Sequence, residues 1–471
     1  MLKAGRSEAG ARAALSHTGA LAGAAAVYDA AFRRAALAPT TDLESFLQAA
    51  VSFSAGLHGA GPRLAVLTNG GGAGVLATDA LAASGEAVAT LSPETLAALA
   101  QAAPAGWSKG DPVDILGDAH PRLYGAAAKI LLAAPEVDAL LAINCPTAVA
   151  DSAAAADAVI AAATSQAGGK PVLAAWLGGA GARRSHRRFV AASIPCFETP
   201  EAAARAFAQL TQLQRHRARP DHEPVAAASS PRAAEARAIA QAALREGRTV
   251  LTDPEARDLL ARYGIPVVPS VACADPQAAG AAAARFAGQF DGPVAIKILS
   301  RDISHKSDVG GVRLNVAPDA ASEVTRTMLA EVAARQPPAR IDGVVVEPMI
   351  TRPTAEEVLA GAVRDPTFGP VVMVGQGGIA VQVDADRALG LAPLNAGLAA
   401  DMIGQTRISR RLAGYRGRPP ADQAALQGVL VALGQLAIDV PELAELDINP
   451  LLCDADGVLA VDARIRLAPA T

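Results

Sequence analysis

The stretch PVAIKILSRDISHKSDVGGVRLNV, residues 293–316, decides the fold class of the second half of the chain. Its opening apolar run predicts a buried β-strand that ends at Lys297. A lysine is costly to bury unless it pairs with an anion, and a phosphate is a natural partner. Gly310 and Gly311 follow, and glycines let the backbone approach a ligand with N–H groups free to cradle phosphate oxygens. A strand-end lysine before an ordinary glycine turn explains the same residues equally well.

Two glutamates stand at the ends of further apolar runs. VVVEPMI places Glu347 at the end of one predicted strand, and EEVLAGAV places Glu357 near the start of the next. A glutamate in such a position can accept hydrogen bonds from an adenine amino group or from ribose hydroxyls. A glutamate on an edge strand with no ligand at all is an equal alternative.

The segments ELDINPLL and GVLAVDARI carry a third polar cluster. They predict two antiparallel strands that bring Asn449 and Asp462 together. Amide and carboxylate oxygens suit Mg²⁺ that bridges nucleotide phosphates. Because polar side chains inside apolar strands need a partner, this pair favours a metal or ligand role.

The pattern of strands and helices divides the chain into four parts. Residues 61–213 alternate strand candidates with alanine-rich helices, which predicts an α/β doubly wound parallel sheet. Residues 214–235 are rich in proline, charge and small side chains and predict a linker. Residues 236–471 crowd strands between helices and predict an α+β domain. Residues 1–60 look like the tail of a domain whose beginning is missing. The strand candidates are RLAVLT, AVATL, PVDIL, VDALLAIN, PVLAAWL and IPCF in the first sheet, and IPVVPS, PVAIKIL, VVVEPMI, EEVLAGAV, GPVVMVG and IAVQVDA afterwards.

A glycine-rich loop in VLTNGGGAGVLATDAL, residues 66–81, follows a strand and opens a helix. Backbone N–H groups and the helix dipole converge there on a predicted phosphate site. The residues of this loop are Asn69, Gly70, Gly71 and Gly72. They do not form a clean GxGxxG, so a dinucleotide site is not favoured.

His17 lies between a serine and a Thr-Gly pair in LSHTGALAG. A histidine in such a loop is accessible, and a largely neutral imidazole can attack a phosphoryl group at pH 7. A surface histidine with no function is the usual alternative.

Composition excludes several classes of protein. The formal net charge of -4 gives no global basic field, so neither nucleic acid nor a membrane surface is an expected partner. The four cysteines are far apart, which argues against a zinc site or a disulfide framework and fits a reducing cytoplasm. Neither a signal peptide nor a membrane-spanning run is predicted.

Taken in order, SHKSDVGGV, VEPM, DPTFGPVVMVGQGG, LDINPLL and VDARI resemble the ATP-grasp part of ADP-forming acetyl-CoA synthetases. These enzymes belong to the NDP-forming acyl-CoA synthetase family and are related to succinyl-CoA synthetase. SHTGALAG resembles the phosphohistidine loop of the same family, and the stretch around Asn69 resembles its middle domain. The resemblance implies a flavodoxin-like doubly wound sheet followed by an ATP-grasp domain.

The resemblance also assigns roles to single residues. His17 would be the phosphorylated residue, and His305 would relay phosphate to the nucleotide. Asn449 and Asp462 would hold Mg²⁺, while the Asn69–Gly72 loop would face the phosphohistidine. The residues that would line the ATP or ADP site are Lys297, Gly310, Gly311, Val312, Glu347 and Glu357.

The implied reaction is acid + CoA + ATP ⇌ acyl-CoA + ADP + phosphate, catalysed by an acid–thiol ligase through a phosphohistidine. Nucleotide, a small carboxylic acid and CoA would be its ligands, and the chain would form a homo-oligomer or join a partner subunit. Family members begin with a CoA-binding domain, so we expect this chain to lack that domain and to use CoA only if the domain is supplied. MIGQTRISRRLAGYRGRPPAD resembles the branch fused to a protein lysine acetyltransferase. A non-catalytic module that senses nucleotide or acyl-CoA is therefore the alternative.

Overall fold

The computed structural model describes residues 1–7, 9–10, 12, 24–165, 169–218, 230–303, 306–378 and 386–469. They form two compact units. Unit 1 comprises residues 1–22 and 32–222, and unit 2 comprises residues 23–31 and 223–471. The predicted fold class is confirmed, because a parallel α/β sheet in unit 1 is followed by mixed α+β structure in unit 2.

Unit 1 is built on a parallel sheet of five strands in the order β2-β1-β3-β4-β5. The three longer strands β1, β3 and β4 are buried along their whole length, as expected where helices cover both faces. The strand predicted at AVATL is wrong, since only Val88 forms a single bridge, to Leu64. The strands are β1 (Leu64–Thr68), β2 (Val113–Asp114), β3 (Ala139–Asn144), β4 (Val172–Trp176) and β5 (Cys196–Phe197).

Helices α2 to α8 precede and connect these strands, while most residues of α1 belong to unit 2. Several start at an N-cap side chain followed by proline, as at Ser92 and Thr199. The last helix continues to Arg217, past the predicted start of the linker, and residues 219–229 lie outside the described part. The helices are α1 (Ala25–Arg34), α2 (Leu43–Ser54), α3 (Gly71–Ala83), α4 (Pro93–Ala102), α5 (Pro121–Ala133), α6 (Ser152–Thr164), α7 (Arg183–Ala191) and α8 (Pro200–Arg217).

Unit 2 contains a small antiparallel sheet in the order β6-β9-β7-β8. Its apolar face packs against two helices, α11 (Pro276–Phe290) and α12 (Ala321–Arg335). The strand predicted at IPVVPS is wrong: Val267 makes one bridge to Ala460, and the strand begins at Val271. The strands are β6 (Val271–Cys273), β7 (Val294–Ser300), β8 (Val312–Val316) and β9 (Ile341–Pro348).

A larger sheet of unit 2 has the order β12-β11-β10-β13-β14, and β15 pairs with the first half of β13. The run GVLAVDARI, predicted as one continuous strand, forms two strands, because Val461 and Asp462 between them are not part of either strand. IAVQVDA lies outside the described residues. The strands are β10 (Glu356–Asp365), β11 (Gly369–Gln376), β12 (Arg387–Leu391), β13 (Leu443–Asp454), β14 (Gly457–Ala460) and β15 (Ala463–Leu467).

The helices of unit 2 complete its two cores. Thr252 and Glu255 form a capping box that fixes the start of α10, the helix that carries Arg257. Within the described ranges, no helix is both long and apolar enough to cross a membrane. The helices are α9 (Ala233–Arg245), α10 (Asp253–Arg262), α11 (Pro276–Phe290), α12 (Ala321–Arg335), α13 (Ala396–Gly404), α14 (Ser409–Leu412) and α15 (Gln423–Asp439).

Candidate functional site

Lys297 lies at the centre of a buried ionic cluster in unit 2. The prediction that it ends its strand is wrong, because it is the fourth residue of β7 and pairs with Val312 and Val345 on either side. Its Nζ is 2.6 Å from Glu347 Oε1 and 3.7 Å from Asp462 Oδ1. Burial alone would lower the pKa of Lys297, but the two carboxylates raise it above its usual value. The side chain is therefore a buried ammonium held by carboxylates.

Arg257 of α10 is a member of this cluster that the sequence analysis missed. Its guanidinium forms ion pairs with Asp253, at 2.8 Å, and with Glu347. It also donates hydrogen bonds to the carbonyl oxygens of Val268, at 2.8 Å, and Val461, at 3.1 Å. One signal was present: Asp253 and Arg257 are four residues apart on a helix, which places them side by side.

Glu347 and Asp462 contribute to the cluster in different ways. Glu347 is only 3% exposed, and its two carboxylate oxygens face Lys297 and Arg257. Both carboxylate oxygens of Glu347 therefore contact cations and do not face the solvent. The Asp462 side chain is 55% exposed and lies between β14 and β15, where Arg257 donates a hydrogen bond to the carbonyl oxygen of the preceding residue, Val461. Asp462 is thus the carboxylate that solvent and ligands can reach.

Asn449 and Glu357 meet beside the end of β11. The predicted approach of Asn449 to Asp462 is confirmed, since the Asn449 N–H donates to the Asp462 carbonyl at 3.2 Å. Asn449 Oδ1 accepts a hydrogen bond from the Gly378 N–H at 3.0 Å. A Cβ atom at Gly378 would collide with the Glu357 carboxylate. Glycine at this position therefore lets both side chains reach the same turn.

An open groove of about 670 Å³ lies above the ionic cluster. Lys297, Val312 and Asp462 line it, together with Asp253 and Lys306. Its described lining does not include Gly310, Gly311, Glu347, Glu357 or Asn449. The structure thus brings part of the predicted nucleotide set to one groove and places the remaining residues around it.

Gly310 and Gly311 shape the turn between β7 and β8. We expected their N–H groups to be free, and this is wrong: Gly310 donates to Ser307, at 3.0 Å, and Gly311 donates to Lys306, at 2.7 Å. Gly310 has a φ of +75°, and a Cβ at Gly311 would lie 2.6 Å from Ile298 Cδ1. Both glycines are required by the turn itself.

The predicted phosphate loop of unit 1 follows β1. The Asn69 side chain is 3% exposed and is bound to the Cys145 backbone, with Oδ1 accepting at 2.7 Å and Nδ2 donating at 2.9 Å. Asn69 therefore fixes the loop next to the chain that follows β3. Gly71 and Gly72 begin α3 and are exposed, and the first N–H groups of a helix have no acceptor within it.

His17 and His305 lie outside the described residues. Over the described ranges, no group of three or more His, Cys, Asp or Glu side chains could hold a metal ion by itself. The donor set of Asn449 and Asp462 nevertheless fits Mg²⁺, which takes one or two protein oxygens and completes its shell with water and phosphate.

Three family models match the chain. They are a succinyl-CoA ligase like flavodoxin domain over residues 1–53, a ligase-CoA domain over residues 64–215, and an ATP-grasp domain over residues 242–467. Fold and models together assign the chain to the class of proteins that combine a ligase-CoA domain with an ATP-grasp domain. The match to a ligase-CoA domain gives no support to the expectation that the chain lacks a CoA-binding domain.

Sequence relatives indicate the family to which the chain belongs within this class. An acetate–CoA ligase (ADP-forming) I of Archaeoglobus fulgidus is 35% identical over 99% of this chain, which spans 66% of that protein's length. The beta subunit of acetate–CoA ligase (ADP-forming) I from Pyrococcus furiosus is 40% identical over 50% of this chain and 99% of its own. A solved acetyl-coenzyme A synthetase 1 of Ca. Korarchaeum cryptofilum is 33% identical over 50% of this chain and all of its own, with a TM-score of 0.46. The chain belongs to the NDP-forming acyl-CoA synthetase family, which includes the ADP-forming acetate–CoA ligases.

Proposed function

We propose that this chain carries the nucleotide-handling part of an ADP-forming acyl-CoA synthetase. The observation that carries the proposal is the groove in which Lys297 and Asp462 lie 3.7 Å apart beside Lys306. Its volume of about 670 Å³ suits a nucleotide. Lys306 also lines the groove, where it interacts electrostatically with Asp253 and adds positive charge for a phosphate.

The protein groups divide the work of binding. Lys297, kept as an ammonium by Glu347, would neutralise phosphate charge. Arg257 would position Glu347 through an ion pair and would position Asp462 through a hydrogen bond to the Val461 carbonyl. Asn449 and Asp462 would hold Mg²⁺, which supplies positive charge to the phosphate oxygens when bound. Glu357, Val312 and the Gly310-Gly311 turn would border the nucleotide.

The phosphoryl group would travel by way of histidine. In the direction of ATP synthesis, an acyl phosphate would transfer its phosphoryl group to a ring nitrogen of neutral His17 and release the carboxylic acid. The phosphoryl group would then pass through His305 to the terminal oxygen of ADP. Gly71 and Gly72 would stabilise the phosphohistidine through the amides at the start of α3, whereas the Gly70 N–H already donates to Thr68 Oγ1 at 3.0 Å.

Labelling with γ-labelled ATP and Mg²⁺ tests the proposal. We expect acid-labile, base-stable label on the protein that is lost in His17→Ala and reduced or lost in His305→Ala. The exposed His58 is the matched control, and His58→Ala should retain full labelling. Label that survives in His17→Ala would overturn the phosphohistidine assignment.

Calorimetric titration with Mg-ADP tests the groove separately. Lys297→Ala should bind at least about tenfold more weakly, whereas Lys129→Ala, an exposed lysine of unit 1, should bind as the unaltered protein does. Equal affinity of both variants would refute the groove. Intact Mg-ADP binding without any label would favour the sensing module over the ligase. Titration with CoA shows whether the chain binds this substrate unaided.

A further inference from the structure

Unit 1 carries a cationic helix that none of the sites above uses. Helix α7 begins with Arg183 and Arg184 and continues through Arg187 and Arg188. Together with Ala180, Gly181 and Ala191, these arginines line an open groove of about 730 Å³. We call it the arginine groove.

Part of the positive charge of this helix has no carboxylate beside it. Arg188 forms an ion pair with Asp157 and donates to the carbonyl of Ala153 at 3.1 Å. The Asp151 carboxylate interacts electrostatically with both Arg184 and Arg188, and within the described ranges no carboxylate forms an ion pair with Arg183 or Arg187. The exposed guanidiniums of Arg183, Arg184 and Arg187 lie on one helix and repel one another.

Helix stability does not explain the position of these arginines. Arg183 and Arg184 occupy the first turn, where a positive charge opposes the helix dipole. The first turn contains no acidic residue, and Ala182 at the N-cap provides no side-chain hydrogen bond. A 3₁₀ turn, Gly179–Ala182, leads into the helix, and the Arg183 N–H donates to the Ala180 carbonyl; the positive charge in the first turn is therefore the feature that an anion in the groove would offset.

The helix is rigidly attached to the sheet. Phe189 is fully buried, and its ring packs 4.8 Å from that of Trp176 at the end of β4. The His186 ring hydrogen-bonds the Trp176 carbonyl at 2.9 Å, while Arg188 ties the helix to α6. The guanidiniums therefore project from a fixed scaffold, which reduces the entropy lost on binding.

We propose that the arginine groove binds a compound with several phosphate groups. Guanidinium forks match phosphate oxygens in bidentate geometry and suit them better than single-point cations do. The rest of the lining is alanine and glycine, so the groove offers no aromatic platform for a base and no deep apolar pocket for an acyl chain. Phosphates of an inorganic chain and those of CoA share this chemistry.

Calorimetric titration of the whole chain with inorganic tripolyphosphate tests the proposal, with saturating Mg-ADP present to occupy the groove of unit 2. The test variant is Arg183→Gln, Arg184→Gln and Arg187→Gln combined; Arg188 is kept because it supports the helix. The matched control removes three arginines elsewhere in unit 1, as Arg122→Gln, Arg205→Gln and Arg217→Gln. Circular dichroism serves to check that both variants are folded.

We expect the test variant to bind tripolyphosphate at least about tenfold more weakly and the control to change less than about twofold. Equal weakening in both variants, or no binding by the unaltered chain, would overturn the proposal. Titration with CoA and with dephospho-CoA then distinguishes the two sources of phosphate. If Mg-ADP itself fails to bind, the nucleotide proposal fails, while the comparison of the two arginine variants remains decisive.

Discussion

Glu347→Gln is the sharpest test of the ionic cluster. The side chain is 3% exposed and holds two buried cations, Lys297 at 8% and Arg257 at 6% exposure. Glutamine has nearly the same shape but leaves both cations without their shared carboxylate. Removing one partner from a buried ion pair costs about 3–5 kcal/mol. With a urea dependence of about 2 kcal/mol per molar, the unfolding midpoint of unit 2 should fall by about 1.5–2.5 M.

Asp462→Asn is the matched control for this prediction. It removes a carboxylate that contacts the same lysine but is 55% exposed, so it should cost less than about 1 kcal/mol.

Urea unfolding followed by circular dichroism measures both changes. Both tryptophans, Trp107 and Trp176, lie in unit 1, so their fluorescence follows that unit in the same sample. We expect Glu347→Gln to shift the circular dichroism transition and to leave the fluorescence transition in place. A shift no larger than that of Asp462→Asn would refute the view that Glu347 holds two buried cations.

Three further predictions follow from other parts of the structure. Burial raises the pKa of Asp111 from 3.8 to about 8, so the folded protein retains a proton that the unfolded chain releases, and stability falls as pH rises through this window. Asp111→Asn should remove that slope and, at pH 8, raise the free energy of unfolding by about 1–3 kcal/mol, read from tryptophan fluorescence in urea; a slope that persists in the variant would contradict this. Gly311→Ala should destabilise unit 2 by about 1–3 kcal/mol in the same urea assay, because the new Cβ would collide with Ile298. Gly288→Ala, at an exposed helix position with open space around it, should instead stabilise unit 2 by up to about 1 kcal/mol. Stability changes of the same sign in both variants would contradict the geometry. Arg257→Lys keeps the charge, but a lysine cannot reach all four partners of Arg257, so this variant should bind Mg-ADP about tenfold more weakly by calorimetry. Arg262→Lys on the same helix should leave the affinity unchanged. Equal affinities of the two variants would show that Arg257 does not position the residues that line the groove.

Much of the site could be predicted because its signals are local. Lys297 in an apolar run and Asn449 in an apolar strand are costly to bury without a partner, and the structure gives both a partner, whereas Asp462 lies between β14 and β15 and is 55% exposed. The same reasoning failed for Arg257, because its partners Glu347 and Val461 are distant in sequence. The composition of helix α10 does not indicate which distant carboxylate Arg257 will contact.

The errors in secondary structure have a related cause. AVATL and IPVVPS contain β-branched residues, but strand formation depends on a neighbouring strand with free edge hydrogen bonds. Val88 and Val267 each find a single bridging partner and no ladder. The Gly310-Gly311 turn shows the same limit, because the sequence indicates glycines without showing that their amides are used within the hairpin.

The strand order of the larger sheet constrains how the protein can be made on the ribosome. Strand β13 lies between β10 and β14 and also pairs with β15, yet it is synthesised after β11, β12 and α15. Until residues 443–467 emerge, β10 has β11 on one side and an unpaired edge on the other. A nascent chain paused before this point exposes a long, largely buried strand to its neighbours. Slow translation of this segment would therefore favour aggregation, and a chaperone that shields β10 would favour correct closure of the sheet.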